Sequence, residues 1–275
     1  KKTYDENILD IKGGLNDVVM NNSPIDIDKL IEGTNEILTA NRNSLQLFDM
    51  LHSMRQFDDL TYVHSVNVAL IASILGQWLK FSEKDIRILT ISGLLHDIGK
   101  IMIPNEILTK PGKLTVAEYN IMKQHVNFGY EKVKNQNIDI RIKEACLLHH
   151  EKCDGTGYPF GLKSDHIPAV AKIIAIADVY DAMTSARVYR GALCPFEVID
   201  TMYKDAFTKF EPEYILPFLK NVASSYINND VRLSDGRIGK VVLINENALS
   251  LPIVQCEDEF IDLSKTRGLT VSAIL

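Results

Sequence analysis

Apolar side chains recur every three or four positions along most of the chain up to about residue 227, which is the spacing of amphipathic α-helices. Acidic and apolar positions alternate over the first fifty residues, and Asn21-Asn22-Ser23-Pro24 interrupts them. This predicts two helices, near Tyr4–Met20 and Ile25–Leu38. Residues 1–50 contain no candidate catalytic, metal-binding or substrate-binding residues. We interpret them as a helical cap on the core; a connector from an upstream sensor domain and a dimer surface are the alternatives.

Two further predicted helices lead to a segment that combines a histidine, an aspartate and a lysine. An amphipathic helix is expected from Thr61 to about Lys80, with His64 on its flank. The sequence Ser82-Glu83-Lys84-Asp85 resembles a capping box and opens a second helix, whose apolar stripe leads to His96. The segment Leu94-Leu95-His96-Asp97-Ile98-Gly99-Lys100 is therefore predicted at an inward-facing helix end.

A loop and another helix come next. Proline and glycine in Lys110-Pro111-Gly112-Lys113 exclude a continuous helix. Thr115-Val116-Ala117-Glu118 has a capping-box pattern, and we expect the helix that it opens to carry Tyr119, Met122 and His125 on one stripe.

Two strongly apolar helices complete the helical part. One is predicted from Ile138 to Glu151 and has His149 and His150 near its end. The other is predicted from Ala169 to about Met183, with Asp178 in its second half. A charge in so apolar a stretch needs a cation as a partner.

The hydrophobic pattern changes past about residue 227. Short β-rich runs alternate there with turn sequences, at Arg237–Ile244, Leu251–Gln255, Phe260–Leu263 and Leu269–Ile274. A small antiparallel sheet or barrel of about 50 residues fits this pattern. The predicted fold is mainly α, a helical bundle over residues 51–226 with a β module at 227–275 that has a packing or regulatory role.

Composition narrows the functional classes. The 275 residues carry a net charge of −6, which argues against a surface for DNA or RNA polymers. No apolar run reaches membrane-spanning length, and we expect a soluble segment. The four cysteines show no CxxC spacing, which favours reduced thiols and a cytoplasmic location, including the cytoplasmic part of a larger protein.

Histidine and aspartate side chains concentrate at the inward-facing positions. Five of the seven histidines fall in this set, and only His52 and His166 lie outside it. Imidazole nitrogen and carboxylate oxygen together suit iron, manganese, zinc or nickel, and an aspartate between two ions can bridge them. The candidate metal ligands are His64, His96, Asp97, His125, His149, His150 and Asp178. For His64 the alternative is an ordinary core histidine, and for Asp178 a plain salt bridge.

A series of motifs runs in order from about Asp58 to Leu219. They are His64, His96-Asp97-Ile98-Gly99-Lys100, Lys110-Pro111-Gly112-Lys113-Leu114, His125, His149-His150-Glu151, Asp154-Gly155-Thr156-Gly157-Tyr158-Pro159, and Asp178-Val179-Tyr180-Asp181-Ala182-Met183-Thr184-Ser185 with Arg187 and Arg190. In this order they resemble the HD-GYP family, a branch of the HD-domain metal-dependent phosphohydrolases. The resemblance implies an all-helical HD-type bundle. It also implies hydrolysis of cyclic di-GMP to linear pGpG, and in some members onward to GMP.

A bridged metal pair fits this chemistry, because it activates water at neutral pH and neutralises charge on a phosphodiester. Asp97 is the predicted catalytic centre, and Lys100 could contact a phosphate oxygen or protonate the leaving group. By resemblance, Arg187 and Arg190 bind phosphate or guanine, and Tyr158 contacts substrate. Their alternatives are a solvated lysine, two surface charges and a turn residue.

One departure from the family concerns the number of metal ions. Family members that hold three metal ions resemble one another in carrying a glutamate one helical turn before the first histidine. In this sequence Leu60 stands at that place, four residues before His64. Leucine cannot ligate a metal, and Asp58 and Asp59 are out of helical phase. We therefore predict two divalent ions and inefficient hydrolysis to GMP, with His150 as a ligand or a residue behind the ligands. Iron or manganese is expected first, and zinc, nickel or magnesium are alternatives.

Two other functions are alternatives to hydrolysis of cyclic di-GMP. The first is a receptor that binds cyclic di-GMP with little turnover, which Leu60 favours. The second is an HD phosphohydrolase that acts on another nucleotide or on a mixed cyclic dinucleotide, which the Gly157-Tyr158-Pro159 loop disfavours.

Overall fold

The computed structural model describes residues 2–21, 23–40, 47–48, 51, 60–185 and 193–275. Two N-terminal helices, α1 (Lys2–Asn21) and α2 (Ile27–Ala40), form where the apolar pattern predicts them. They share one hydrophobic core with the helices that follow, and the Tyr62 hydroxyl donates to the Asn16 side chain at 2.6 Å. The segment therefore packs on the core, while its role as a connector or a dimer surface stays a prediction.

Helices α3 (Leu60–Trp78) and α4 (Glu83–Leu95) form the centre of the bundle. They pack extensively against each other and bury apolar side chains along most of their length. Where they cross, a Cβ atom on Gly93 would lie 2.5 Å from the Cα of Ala69, so only glycine permits this approach. The close crossing holds the end of α4, and with it His96, beside α3.

Both helix-start signals predicted from the sequence are confirmed. The Ser82 hydroxyl accepts a hydrogen bond from the backbone N–H of Asp85 at 3.2 Å. Thr115 and Glu118 form the reciprocal capping box, in which each side chain accepts from the backbone N–H of the other residue.

A 3₁₀ turn and four helices follow α4. They are the turn Ile98–Met102 and α5 (Asn105–Leu108), α6 (Val116–Met122), α7 (His125–Val133) and α8 (Ile140–Leu148). The single helix predicted through Tyr119, Met122 and His125 is wrong, because α6 ends at Met122 and His125 begins α7. The first turn of α7 packs backbone to backbone on Gly99 of the 3₁₀ turn, a tertiary contact that the local pattern does not contain.

Helix α9 (Ala169–Thr184) lies in the middle of the bundle and packs against α3, α4 and α8. It confirms the helix predicted from Ala169. A 3₁₀ turn at Ser164–His166 precedes it, and α10 (Pro195–Asp205) and α11 (Pro212–Ser225) follow it. Because α9 is surrounded by other helices, a charged side chain on its inner face must find a partner inside the protein.

The C-terminal residues form a five-stranded antiparallel sheet. Its strands are β1 (Asp230–Leu233), β2 (Ile238–Leu243), β3 (Ile253–Cys256), β4 (Glu259–Asp262) and β5 (Val271–Ile274), in the spatial order β4-β3-β2-β1-β5. A 3₁₀ turn at Leu263–Lys265 joins β4 to β5. Buried and exposed residues alternate along β1 and β2, and the buried face joins the core of the helical bundle beside α10. The predicted fold class, mainly α with a small C-terminal β module, is confirmed; β1 is a strand that the sequence analysis did not predict.

The sequence predicts no membrane-spanning segment and no disulfide framework. Among the helices of the described ranges, none combines the length and apolar character needed to cross a membrane. All four cysteines are free thiols, as their spacing predicts.

Candidate metal centre

The seven side chains predicted as metal ligands meet in one place. They come from five helices or their ends: His64 from α3, His96 and Asp97 from the end of α4, His125 from the start of α7, His149 and His150 from the end of α8, and Asp178 from α9. All are buried except His150, whose side chain is 25% exposed. The bundle thus converges on a cluster of imidazoles and carboxylates.

The cluster divides into two groups, each with ligand atoms within 4.8 Å of one another. One group comprises His64, His96 and Asp178. The other comprises Asp97, His125, His149 and His150. Two adjacent groups of nitrogen and oxygen donors are consistent with a binuclear metal site.

Asp97 lies between the two groups, and each of its oxygens faces one of them. Its Oδ2 is 3.6 Å from Nε2 of His64 and 3.3 Å from Nε2 of His96. Its Oδ1 is 3.3 Å from Nε2 of His125 and 3.8 Å from Nε2 of His149. This is the arrangement expected of a carboxylate that bridges two ions.

Hydrogen bonds donated by Nδ1 fix which ring nitrogen faces the centre in four of the imidazoles. The Nδ1 atoms of His96, His125 and His149 lie 2.7–3.0 Å from backbone carbonyls, so each must donate a proton. Nδ1 of His64 donates to the carboxylate of Asp181 at 2.6 Å. In all four rings Nε2 is left to point into the cluster, which is the atom a metal ion would use.

Unpaired buried atoms test whether these residues fit a metal. Nε2 of His64, Nε2 of His96 and Oδ1 of Asp97 are buried and lack a well-formed hydrogen bond. Leaving buried polar atoms unsatisfied costs free energy, and coordination to a cation removes that cost. The donor set and its unpaired atoms therefore fit divalent metal ions.

The protonation states of three imidazoles also suit metal binding. Burial lowers the pKa of His149, His150 and His125, so these rings are neutral at pH 7. His64 differs, because burial would lower its pKa but the neighbouring carboxylates of Asp178 and Asp181 raise it to about 9. A metal ion at Nε2 would therefore have to displace a proton from this ring. Neutral imidazole is the form that binds a metal.

The two carboxylates of the cluster are ionised. Burial by itself would raise the pKa of Asp97, but the neighbouring His96 and Lys100 hold it well below its usual value. Burial would likewise raise the pKa of Asp178, but the neighbouring His64, His150 and His96 together hold it well below its usual value. Two buried negative charges in one centre attract cations.

Lys100 lies at the centre and is not a solvated helix end. Its ammonium group donates to Oδ2 of Asp97 at 2.5 Å, and its side chain is 19% exposed. It follows Gly99, on which a Cβ atom would lie 1.9 Å from the carbonyl oxygen of His125. This close approach locks the 3₁₀ turn onto α7 and sets Asp97 and His125 side by side.

Tyr158 covers the centre from the loop after α8. Its ring stacks on His150 with centroids 4.7 Å apart and meets His125 edge-on at 6.4 Å. The loop is held by the buried carboxylate of Glu151, which accepts hydrogen bonds from three backbone N–H groups. These belong to Phe160, Gly161 and Leu162, at 2.7, 3.1 and 2.8 Å.

Several predicted positions lie outside the described residues. Arg187 and Arg190 are among them, and so are Asp58 and Asp59. Helix α3 begins at Leu60, so this residue stands one helical turn before His64, as the sequence predicts.

The family assignment follows from a comparison of the whole chain. The HD domain family matches residues 32–214, which include both groups of donors. The chain belongs to the HD-domain family. The predicted resemblance to the HD-domain phosphohydrolases is thus confirmed. His96 and Asp97, where the two donor groups meet, lie within the matched residues.

Curated relatives narrow the branch of the HD-domain family. Cyclic di-GMP phosphodiesterase PA4108 of Pseudomonas aeruginosa is 36% identical over 203 residues, or 74% of this chain and 49% of the relative. The cyclic di-GMP phosphodiesterase response regulator RpfG of Xanthomonas campestris pv. campestris is 36% identical over 197 residues, or 71% and 52%. The 3′3′-cGAMP-specific phosphodiesterase 1 of Vibrio cholerae is 36% identical over 173 residues, or 62% and 38%. This HD-domain chain is related to the HD-GYP cyclic di-GMP phosphodiesterases, and it spans about half the length, or less, of these relatives.

A solved structure supports the fold. Bd1817, an HDG"Y"P protein from Bdellovibrio bacteriovorus, superposes with a TM-score of 0.63 over 78% of this chain and 69% of its own, at 17% identity. The likeness concerns the architecture alone and agrees with the HD-type bundle.

Sequence reasoning missed two residues of this HD-domain centre. Asp181 orients His64, and Glu151 was noted as part of a motif without a role. The signal for Asp181 was present, because it follows Asp178 by three positions and both lie on one face of α9. No local signal shows that Glu151 accepts hydrogen bonds from residues nine to eleven positions later.

Proposed function

We propose that the chain is a metal-dependent phosphodiesterase that hydrolyses cyclic di-GMP to linear pGpG. The observation that carries the proposal is the position of Asp97, whose two oxygens face two separate groups of buried histidines. A single structural metal or a salt-bridge network would not need a carboxylate divided in this way.

The two groups define the proposed ligands of each ion. His64, His96 and Asp178, with Oδ2 of Asp97, would hold one ion, and Asp97, His125, His149 and His150 would hold the other. We propose iron or manganese, because mixed imidazole and carboxylate donors suit both. Zinc, nickel and magnesium are the alternatives that metal analysis would reveal.

When bound, two divalent ions activate a water molecule and neutralise negative charge on the phosphodiester. The chain's own residues have complementary roles. Lys100 places its ammonium beside Asp97, from where it can contact a phosphate oxygen or protonate the departing 3′-oxygen. Tyr158 excludes water on one side of the centre and offers a hydroxyl to substrate. Arg187 and Arg190 are proposed to bind phosphate or guanine.

The names of the relatives support a cyclic dinucleotide as substrate. Relatives named for cyclic di-GMP and for 3′3′-cGAMP are equally identical to this chain, at 36%. We choose cyclic di-GMP because the two relatives of that name described above, PA4108 and RpfG, align over 74% and 71% of the chain, against 62% for the cGAMP enzyme.

The test is an anaerobic assay of the purified chain loaded with iron or manganese. Cyclic di-GMP and 3′3′-cGAMP are supplied separately, and products are separated by chromatography. We expect pGpG from cyclic di-GMP and loss of turnover by a factor of about 10³ or more in Asp97→Asn. Faster hydrolysis of 3′3′-cGAMP than of cyclic di-GMP would show that the proposed substrate is wrong, while the proposed reaction, hydrolysis of a phosphodiester, would stand.

The alternative function is a receptor, which the leucine at position 60 favours. A chain that holds two metal ions and binds cyclic di-GMP but releases no product would refute the enzyme and support the receptor. Accumulation of GMP with three ions per chain would refute the two-metal prediction.

A further inference from the structure

A lysine lies between two tyrosine rings at the edge of the metal centre. The Lys123 ammonium is 5.3 Å from the ring centroid of Tyr119 and 6.0 Å from that of Tyr158. The two rings meet edge to face with centroids 6.5 Å apart. Tyr119 is 48% exposed, so the group opens to solvent. We call these three residues the tyrosine–lysine group.

The group adjoins the predicted reaction centre directly. Tyr158 stacks on His150 at 4.7 Å, and Lys123 lies on the same tyrosine. The ammonium is thus one aromatic ring away from an imidazole of the second donor group. It stands two residues before His125, in the turn that separates α6 from α7.

The charge of Lys123 is not neutralised within the described part of the chain. No carboxylate there lies within ion-pair distance of it, whereas Lys110 on the preceding loop pairs with Glu118 at 2.6 Å. Aromatic faces attract a cation but carry no charge, so they hold the ammonium in place and leave it able to bind an anion. A compact ammonium on a flexible stem is a common phosphate ligand.

We propose that Lys123 binds the second, unreacting phosphodiester group of a cyclic dinucleotide and so selects dinucleotides over single phosphodiesters. This inference rests on the proposed function and adds a specificity-determining residue to it. The two phosphodiesters of a cyclic dinucleotide belong to one small ring. When one lies over the donor groups, the other must therefore lie close by, against a wall of the site. The tyrosine–lysine group is a wall with an uncompensated positive charge.

The competing interpretation is that Lys123 only packs on the tyrosines. A packing role predicts equal effects on every substrate and a loss of stability, because the aliphatic stem covers the rings. A phosphate-binding role predicts an effect confined to substrates with two phosphates. The two interpretations therefore differ in measurable ways.

The experiment compares Lys123→Gln, Lys123→Arg and the control Lys84→Gln, an exposed lysine on the first turn of α4. Each metal-loaded protein is assayed with cyclic di-GMP and with bis(p-nitrophenyl) phosphate, which has one phosphodiester. We expect Lys123→Gln to lower kcat/KM for cyclic di-GMP about tenfold or more, mainly through KM, with unchanged hydrolysis of the small substrate. Arginine should restore most of the loss, and Lys84→Gln should behave as wild type.

Binding and metal content give a second readout. Calorimetric affinity for cyclic di-GMP should fall by the same factor in Lys123→Gln, while the ions per chain and the melting temperature stay as in wild type. Equal losses on both substrates, or no loss in either affinity or KM, would refute the proposal.

The same measurements distinguish failure of the proposed function from failure of the inference about Lys123. If wild type cleaves the small substrate but no cyclic dinucleotide, the proposed function fails, and the affinity comparison decides the role of Lys123. If wild type binds no cyclic dinucleotide, the inference about Lys123 fails as well.

Discussion

The carboxylate of Asp181 accepts a hydrogen bond from Nδ1 of His64 at 2.6 Å, across 117 positions of the chain. The other oxygen of Asp181 accepts from the Asn67 amide at 2.9 Å. A carboxylate behind a ligating histidine fixes the tautomer and the direction of the ring. Asp181 is therefore a positioning residue for one donor group, and it needs both oxygens.

Asp181→Asn should weaken metal binding. An asparagine has one acceptor oxygen, so either His64 or Asn67 would face an NH₂ group. We expect about a 10- to 100-fold rise in the dissociation constant for manganese, measured by equilibrium dialysis. Asp165→Asn is the matched control, since Asp165 pairs with His166 on the exposed surface and belongs to neither donor group. Wild-type affinity in Asp181→Asn would contradict this role.

Gly99→Ala should destabilise the fold, because its Cβ atom would lie 1.9 Å from the His125 carbonyl and 2.4 Å from the Gly129 nitrogen. We expect the free energy of unfolding to fall by about 3 kcal/mol, measured by urea denaturation of the metal-free protein. Gly13→Ala on α1 is the control. Nothing lies within 4 Å of that added Cβ, so helix stability should rise by about 0.5–1 kcal/mol. Equal effects of the two changes would be evidence against the close approach.

Glu151→Gln should loosen the loop that carries Tyr158. The carboxylate accepts three backbone N–H bonds, and a glutamine would turn an NH₂ group toward at least one of them. We expect a loss of about 1–3 kcal/mol in stability and faster hydrogen exchange at Phe160, Gly161 and Leu162.

The exposed Glu106 of α5 provides the control for that experiment. Glu106→Gln should leave both the stability and the exchange rates unchanged. Unaltered exchange at residues 160–162 in Glu151→Gln would mean that the loop is held by other contacts.

The capping box of α6 should produce a pH-dependent contribution to stability. Hydrogen bonds to Lys110 and Thr115 lower the pKa of Glu118 from its usual 4.5 to about 2. A carboxyl group with a lowered folded-state pKa stabilises the fold above its unfolded value, and this stabilisation is lost as pH falls from about 4.5 to about 2. Because the group is exposed, the effect should be small.

Comparison of wild type with Glu118→Gln isolates that contribution. The difference in urea midpoint should be present at pH 7 and should shrink progressively below pH 4.5. A difference that grows as the pH falls would have the wrong sign.

Removal of metal should lower the melting temperature. Without cations, the charges of Asp97 and Asp178 are balanced less completely inside the bundle. Binding at about 1,000 times the dissociation constant stabilises a fold by about 4 kcal/mol. Calorimetric scans with chelator and with graded manganese should show a melting temperature that rises with metal concentration in wild type but much less in Asp97→Asn. A melting temperature independent of metal in wild type would argue against a metal centre.

Much of the helical core could be predicted because its signals are local. The capping sequences at Ser82 and Thr115 and the apolar stripe ending at His96 are visible in a few adjacent residues. The metal donors were predictable for a related reason. Histidine and aspartate are rarely buried without partners, so their presence on apolar helix faces indicates a shared site.

What could not be predicted depends on contacts between distant segments. The break between α6 and α7 is set by the packing of α7 on Gly99, which no periodicity records. Strand β1 is four residues long and contains Asp230 and Arg232, and it forms because it pairs with β2 and β5 on its two sides. The hydrogen bond between Asp181 and His64 joins α9 to α3 and is likewise a tertiary contact.

The donors of the centre are spread from His64 to Asp178, and no two neighbouring helices hold a complete group. A ribosome-bound chain that still lacks α9 has one group without its Asp178 and without Asp181 behind His64. That group would therefore bind its ion only after α9 has docked, whereas the donors of the other group, Asp97, His125, His149 and His150, all precede α9 in the chain. If a chain were cleaved between α3 and α9 and its fragments separated, at least one group would lose a donor, so bound metal would report on the integrity of the helices that carry the donors.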